Sequence, residues 1–279
     1  MIRVGIIGDL REEGKIYQTL HNSKEVEPAG LYNPGRDFKS SKFKIYHNPI
    51  ELLELSDAIL IYNTERISAD FIRVMIRKSK HIYFRRPPVL SVSEIADLLK
   101  LQKEAGSVVH LFNSLLGVKP GIISEIKPGV KIINLQLAIQ STEESLSFEI
   151  LNSLIYLSKV ENSPVKHSEV LAMKSGQGYI TLNIHSICPN GSVHNILFSD
   201  KDISSEIQIF QKDHFIRFSI LGNTGTDAAI QALDDLAFQN FVLAIEGKTS
   251  ESISFEDYYN SQKSYHDIRE KLAYSGIEI

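Results

Sequence analysis

Two adjacent arginines, Arg85 and Arg86, followed by Pro87 and Pro88, are the residues of this 279-residue chain best suited by type and spacing to hold a ligand. A guanidinium stays protonated, with a pKa above about 12, and offers five N–H donors in a planar fork. The chemistry open to it is holding an anion or polarising a carbonyl; it does not move a proton. The flanking residues say where the pair stands. His81-Ile82-Tyr83-Phe84 reads as a strand, and the two prolines lack backbone donors and push the residue before each out of the helical region. Ser91 and Glu94 have capping-box spacing, and Ile95, Leu98 and Leu99 follow at the period of a helix with one buried face. Arg85 and Arg86 therefore fall at the carboxyl end of a strand, which in an open parallel sheet is the edge where ligands bind. A solvated loop carries arginines of the same kind, so both readings stand at this point.

The elements that must position the pair alternate. Ile2 to Ile7 is an apolar run ending in Gly8, followed by a polar loop and a helix through Leu20. Val26 to Tyr32 is a second strand ending in Asn33-Pro34-Gly35-Arg36, and Asp57 to Tyr62 a third ending at Asn63-Thr64. A helix with Phe71, Ile72, Met75 and Ile76 on one side follows, then the strand into Arg85, the capped helix and a strand from Val108 to Phe112. Strands alternating with helices imply a Rossmann-like, doubly wound parallel sheet.

The first turn is where such a fold shows its phosphate-binding glycines. Only Gly8 is in place; Leu10 stands at the second glycine position and Glu13 at the third, with Gly14 one residue late. Leu10 puts a side chain where backbone would approach a pyrophosphate, and Asp9, Glu12 and Glu13 add negative charge. A carboxylate about 5 Å from a phosphate costs roughly 3 kcal/mol at an effective dielectric near 20. Arg11 and Lys15 offset part of this. NAD or NADP binding is accordingly expected to be weakened. At the end of the second strand Asn33 occupies the ribose-reading position without the carboxylate that favours NAD, and Arg36 is placed to pair with a 2'-phosphate or simply to be solvated.

From Lys131 the period changes to two. Ile133, Leu135, Leu137 and Ile139 alternate with polar or small residues, as do Ile180, Leu182 and Ile184, and Ile216, Phe218 and Ile220. Asn190-Gly191 is a hairpin turn. These strands imply a mainly antiparallel sheet, open on one face, in an α+β second domain, crossed by a helix from Phe148 to Leu157. The open face is expected to serve as the interface of a homo-oligomer. Near the end, Leu233, Leu236, Ala237, Phe241 and Ala244 form a helix stripe stopped by Gly247, and Ser254 caps a last helix. The pattern divides the chain into residues 1–118 and 119–279, with the last helices free to pack back on the first domain.

Composition bounds the rest. Apolar residues make up 43% and charged residues 23%, the net charge is −4, and no run of apolar residues is long enough to span a membrane. That balance argues against a nucleic-acid or membrane surface. The lone Cys188 cannot form an internal disulfide, and the chain opens on a strand without a secretion signal, so a cytoplasmic protein is expected. His81, His110, His185 and His194 have no metal-ligand spacing, and Ser114 and Ser186 lie in no nucleophile elbow.

Taken together, these stretches resemble the glucose-fructose oxidoreductase, inositol dehydrogenase and MocA family (Gfo/Idh/MocA) over nearly the full length. Ile2 to Gly8 is similar to the family's first strand, and Asn63-Thr64 stands where the family has Thr-Pro. Arg85-Arg86-Pro87 with Leu90 to Glu94 is similar to its Glu-Lys-Pro and the helix start beyond it. Phe112-Asn113 resembles its phenylalanine-asparagine, although the next arginine is missing at Ser114 and Leu115. Phe241 to Gly247 and Ser252 to Asp257 are similar to its C-terminal pattern.

The resemblance implies that Gly8, Leu10, Asn33, Arg36, Asn63 and Thr64 line a cofactor site and that Asn113 borders the substrate. It also puts Arg86 at the family's proton-shuttling lysine, Arg85 at its glutamate, and Phe148 and Leu151 at its histidine and aspartate. The glycine loop, lysine, histidine and aspartate are thus altered together. Two functions are expected from that: a non-catalytic, ligand-binding member that keeps the fold, or an NAD(P)-dependent oxidoreductase of unusual specificity whose Arg85 and Arg86 hold an anionic small molecule.

Overall fold

A computed structural model of the chain describes residues 1–8, 13–33, 40, 42–62, 67–139, 143–174, 180–201, 203–220, 227–248 and 251–277. Two compact units are present. One comprises Met1–Phe112 and Ala229–Glu256, the other Asn113–Ala228 and Asp257–Ile279. The sequence pattern set its division after residue 118.

The first unit begins β1 (Ile2–Ile7), α1 (Glu13–Asn22), β2 (Val26–Tyr32), β3 (Ile45–Tyr46) and α2 (Pro49–Leu55). It continues with β4 (Ala58–Ile61), α3 (Ala69–Arg77), β5 (His81–Phe84), α4 (Val92–Ala105) and β6 (Val109–Leu111). The second unit contributes α5 (Ser114–Val118), α6 (Ile122–Glu125), β7 (Ile132–Ala138), α7 (Glu143–Glu161), β8 (His167–Lys174) and β9 (Ile180–Ile187). It also holds β10 (Val193–Ser199), β11 (Glu206–Gln211) and β12 (His214–Ser219); α8 (Asp227–Ile245), from Ala229 on, and β13 (Ile253–Ser254) belong to the first unit, and α9 (Phe255–Tyr274) to the second beyond Glu256.

The first sheet runs β13-β6-β5-β4-β1-β2-β3, with every pair parallel except β13 on β6. Order reverses on either side of β1, which makes the carboxyl edge around β1 and β4 a topological switch point. All four residues of β4 are buried, as a strand covered on both faces requires. A Cβ on Gly5 would lie 2.4 Å from Ser56 Oγ, so a glycine here lets the end of α2 settle on β1. The capping box of α4 forms as its spacing predicts: Glu94 N donates to Ser91 Oγ and Ser91 N donates to Glu94 Oε2. The bonds that Glu94 Oε2 accepts from the Ser91 N–H and hydroxyl hold its carboxyl below the usual carboxylate range.

The second sheet runs β12-β11-β7-β10-β9-β8 and is antiparallel except where β10 lies parallel to β7. Ile133, Leu135, Ile184, Leu182, Ile196 and Phe198 are buried on one face. The other carries a ladder in which Asn195 Nδ2 donates to Asn134 Oδ1 at 2.8 Å while His185 Nδ1 lies 2.7 Å from Asn195 Oδ1. Edge strand β8 has no legible alternation because its inward residues, Ser168, Val170 and Ala172, include a serine and an alanine, while Leu171 and Met173 are exposed. The helix read from Phe148 to Leu157 extends in both directions to Glu143–Glu161.

Candidate functional site

At the carboxyl edge of the first sheet the turn after β1 starts with Gly8, whose φ of 155° is one that L side chains rarely adopt. Gly8 N donates to Tyr32 O at 3.1 Å, and Tyr62 N donates to Ile7 O at 2.9 Å, which fixes the ends of β1, β2 and β4 together. Asn33 lies at the end of β2, half-buried and engaged in contacts of its own. Leu10, Arg36, Asn63 and Thr64 lie outside the described residues.

The arginine pair is split by its surroundings. Arg85 N donates to Ile61 O at 2.8 Å, continuing the ladder one residue past β5. Its Nε donates to Asp234 Oδ2 at 3.0 Å and lies 2.8 Å from Oδ1, and its Cζ sits 3.8 Å from the centroid of the Phe112 ring. Only 18% of the Arg85 side chain and 10% of the Asp234 side chain are exposed. Arg86, the next residue, is exposed and has no ion-pair partner among the described residues.

Asp234 is the residue the sequence pattern missed. It lies four positions before Phe238 and seven before Phe241 on α8, so the three share one helix face. Phe238 and Phe241 pack on Tyr83 with ring centroids 5.9 and 5.4 Å away, which brings Asp234 to the end of β5. The readable signal was a single carboxylate in line with that aromatic stripe. The Tyr83 hydroxyl is buried without a hydrogen-bond partner among the described residues, and burial, reinforced by the charge of Asp234, pushes its pKa well up.

In the second unit Asn113 is buried and caps α5, its Oδ1 accepting from Leu116 N at 3.1 Å. Its Nδ2 donates to both Asn152 O and Asn152 Oδ1 at 2.8 Å. Asn152 Nδ2 in turn donates to Ser114 Oγ at 3.2 Å, so this amide pair fastens α5 to α7. Phe148 and Leu151 are half-buried on α7. Beside Phe148 stands Glu149, a second residue not singled out from the sequence. Burial alone pushes its carboxyl up to about 7. Its signal was a lone acid inside an apolar helical run. Among the described residues no three His, Cys, Asp or Glu side chains converge as a metal site.

No protein-family model and no curated protein matches the sequence. Solved structures do. UDP-N-acetylglucosamine 3-dehydrogenase GnnA from Acidithiobacillus ferrooxidans is similar with a TM-score of 0.78 at 14% identity, over 97% of each chain. A probable dehydrogenase from Thermotoga maritima is similar with a TM-score of 0.79 at 13% identity, over 98% of this chain and 97% of that one. The WlbA dehydrogenase from Bordetella pertussis, solved in complex with NADH and UDP-GlcNAcA, is similar with a TM-score of 0.72 at 11% identity, over 99% and 97%. At these identities the likeness is one of fold. The chain has the two-domain fold of Gfo/Idh/MocA dehydrogenases, as the motifs implied.

Proposed function

We propose that this protein keeps the oxidoreductase fold as a ligand-binding member that has lost ordinary sugar-dehydrogenase chemistry, and that its ligand is anionic. The observation that carries this reading is the arginine pair. Where the resemblance implies a lysine that shuttles a proton, two guanidiniums stand at the sheet edge, and neither gives up a proton near neutral pH. What they do well is hold oxyanions.

Gly8 fits the tight turn out of β1 that a nicotinamide dinucleotide site uses, and Asn33 stands at the ribose-reading strand end. Bound, that cofactor would supply hydride acceptance or donation. By their charge and bulk, Leu10, Asp9, Glu12 and Glu13 weaken the grip on its pyrophosphate. Titration with NADH and NADPH, read by nicotinamide fluorescence and thermal shift, is expected to give saturation only in the millimolar range or none. Robust NAD(P)-dependent oxidation of a polyol by the purified protein would overturn the reading.

Glu149 favours a second reading, an NAD(P)-dependent oxidoreductase acting on an anionic small molecule. A carboxyl that titrates at about 7 has the proton affinity suited to general acid–base work at neutral pH. NADPH consumption screened against 2-oxo acids tests it, with turnover that disappears in Glu149→Gln as the expected signature and activity indifferent to that change as the contrary one.

The open face of the second sheet is proposed as an interface between copies of the chain. Phe210, paired with both Ile132 and Phe215, and Leu171 and Met173 leave apolar surface exposed there. Light scattering on the eluting protein should give twice the 31.4 kDa chain mass or a higher multiple, and a monomer at micromolar concentration would reject the interface.

A further inference from the structure

We infer that the outer edge of Arg85, its two Nη groups, is a preset bidentate site for one carboxylate or phosphate group of the ligand. The inference deepens the binding role proposed above and rests on it for taking the carboxyl edge of the sheet as the ligand site.

A guanidinium can present two faces to a carboxylate, one built from Nε and one Nη and the other from both Nη groups. In Arg85 it is Nε that is committed, lying 2.8 and 3.0 Å from the two Asp234 oxygens. Among the described residues neither Nη has a hydrogen-bond partner, and neither counts among the buried polar atoms left without one. With 18% of the side chain exposed, that edge is not enclosed by the described residues. The planar group is held in place from two sides, its Cζ stacked 3.8 Å from the centre of the Phe112 ring and its Nε paired with Asp234. Asp234 is itself placed by the packing of Phe238 and Phe241 on Tyr83.

A long side chain that is already ordered loses little freedom when it binds, and a fork with two parallel donors matches the two oxygens of an oxyanion. Asp234 offsets part of the positive charge through Nε while leaving the donors on the far side open. Arg86 differs in every one of these respects. It is exposed and held by no described partner, so it adds attraction at longer range without geometry. Of two neighbours identical in type, the buried one carries the specificity.

Phosphate and malonate, titrated at constant ionic strength with chloride as the reference, separate a phosphate from a carboxylate preference. Thermal shift of the wild-type protein should rise saturably with one of them and not with chloride. Arg85→Lys keeps the charge but loses the fork, and its affinity should fall by about tenfold or more. Arg86→Ala should lower it by no more than about threefold, as expected for a screened charge. Equal affinity in Arg85→Lys, loss of binding in Arg86→Ala alone, or no response of the wild type beyond that to chloride would overturn the inference.

Should Arg85→Lys fold poorly, side-chain nitrogen NMR of arginine-labelled wild-type and Arg86→Ala protein decides. The Nη signals that move on adding the anion must persist in Arg86→Ala; movement confined to the signal that this substitution deletes overturns the assignment. An NADH titration of the same samples keeps the two ideas apart. Anion binding through Arg85 without NADH binding leaves this inference standing and removes the dinucleotide, whereas NADH binding with no anion response does the reverse.

Discussion

Each unit of this protein buries a carboxylate against a cation, and the two pairs are built to different ends. In the second unit Glu161 is fully enclosed. Its Oε1 accepts from Ser192 Oγ at 2.9 Å and Asn190 Nδ2 at 2.5 Å, while Oε2 faces Lys131 Nζ at 3.5 Å and His194 Nε2 at 3.8 Å. Burial pushes the Glu161 carboxyl up, but the nearby His194 ring, the bonds from Asn190 and Ser192 and the charge of Lys131 outweigh it and hold the group below its ordinary value. Cys188, 3.8 Å from His194 Nε2, is pushed up to about 11 by burial and by the Glu161 charge, so it is a poor nucleophile. The cation there, Lys131, is 4% exposed and also donates to Gly129 O. In the first unit Asp234 holds Arg85 by one edge, and the other edge of the cation is not enclosed by the described residues. A closed network fastens a turn; an open one leaves donors for something else.

Substitution should bring out that contrast. The largest effect is expected from Glu161→Ala, which strands Lys131 where water cannot reach it and leaves Asn190 and Ser192 without their acceptor. Breaking a buried pair in this way costs about 3–5 kcal/mol, to be measured by urea denaturation. A loss below 1 kcal/mol would mean that the network is not closed.

A carboxylate with no partner among the described residues should behave in yet another way. Burial raises the Glu149 pKa from 4.5 to about 7, so the folded state holds a proton that the unfolded chain releases. Stability is therefore full below the unfolded pKa and is lost as pH rises through the folded pKa, that is, between about 4.5 and 7. Glu149→Gln should remove that slope, with a gain of about 3 kcal/mol at pH 8 by the usual conversion of a pKa shift. Denaturation midpoints measured across the range would check it, and parallel curves for the two proteins would place Glu149 in water.

The smallest of the three is Asp234→Ala. It too removes a buried carboxylate from a cation, but the outer edge of Arg85 stays open, so its charge is not stranded, and the loss should stay near the 1–2 kcal/mol of a charge-assisted hydrogen bond. If Asp234→Ala proved as damaging as Glu161→Ala, the outer edge of Arg85 would not be open.

Much of the framework is readable from local pattern. The apolar runs ending at Gly8 and Phe84 became the parallel strands β1 and β5, because a strand buried on both faces needs no polar alternation. Ser91 with Glu94, and Gly247 at φ 72° after α8, worked as helix boundaries because caps depend on neighbours a few residues away. Edge strand β8 shows no alternation along the chain because Ser168 and Ala172 face inward while Leu171 and Met173 face out. The sites were less legible. Asn113, taken from the motif as a substrate neighbour, spends its amide on Asn152 and on the cap of α5, and that geometry depends on a helix 39 residues further on.

By itself the sequence determined that a nonprotonating pair, Arg85 and Arg86, stands at a strand end before a capped helix, since residue type and local spacing suffice for that. Only the tertiary structure decided that the two differ. The carboxylate that orients Arg85 is Asp234, 149 residues away on α8, and the ring beneath it is Phe112 after the neighbouring strand. Which edge of a guanidinium is left for a ligand is settled by such distant contacts, and no periodicity along the chain encodes them.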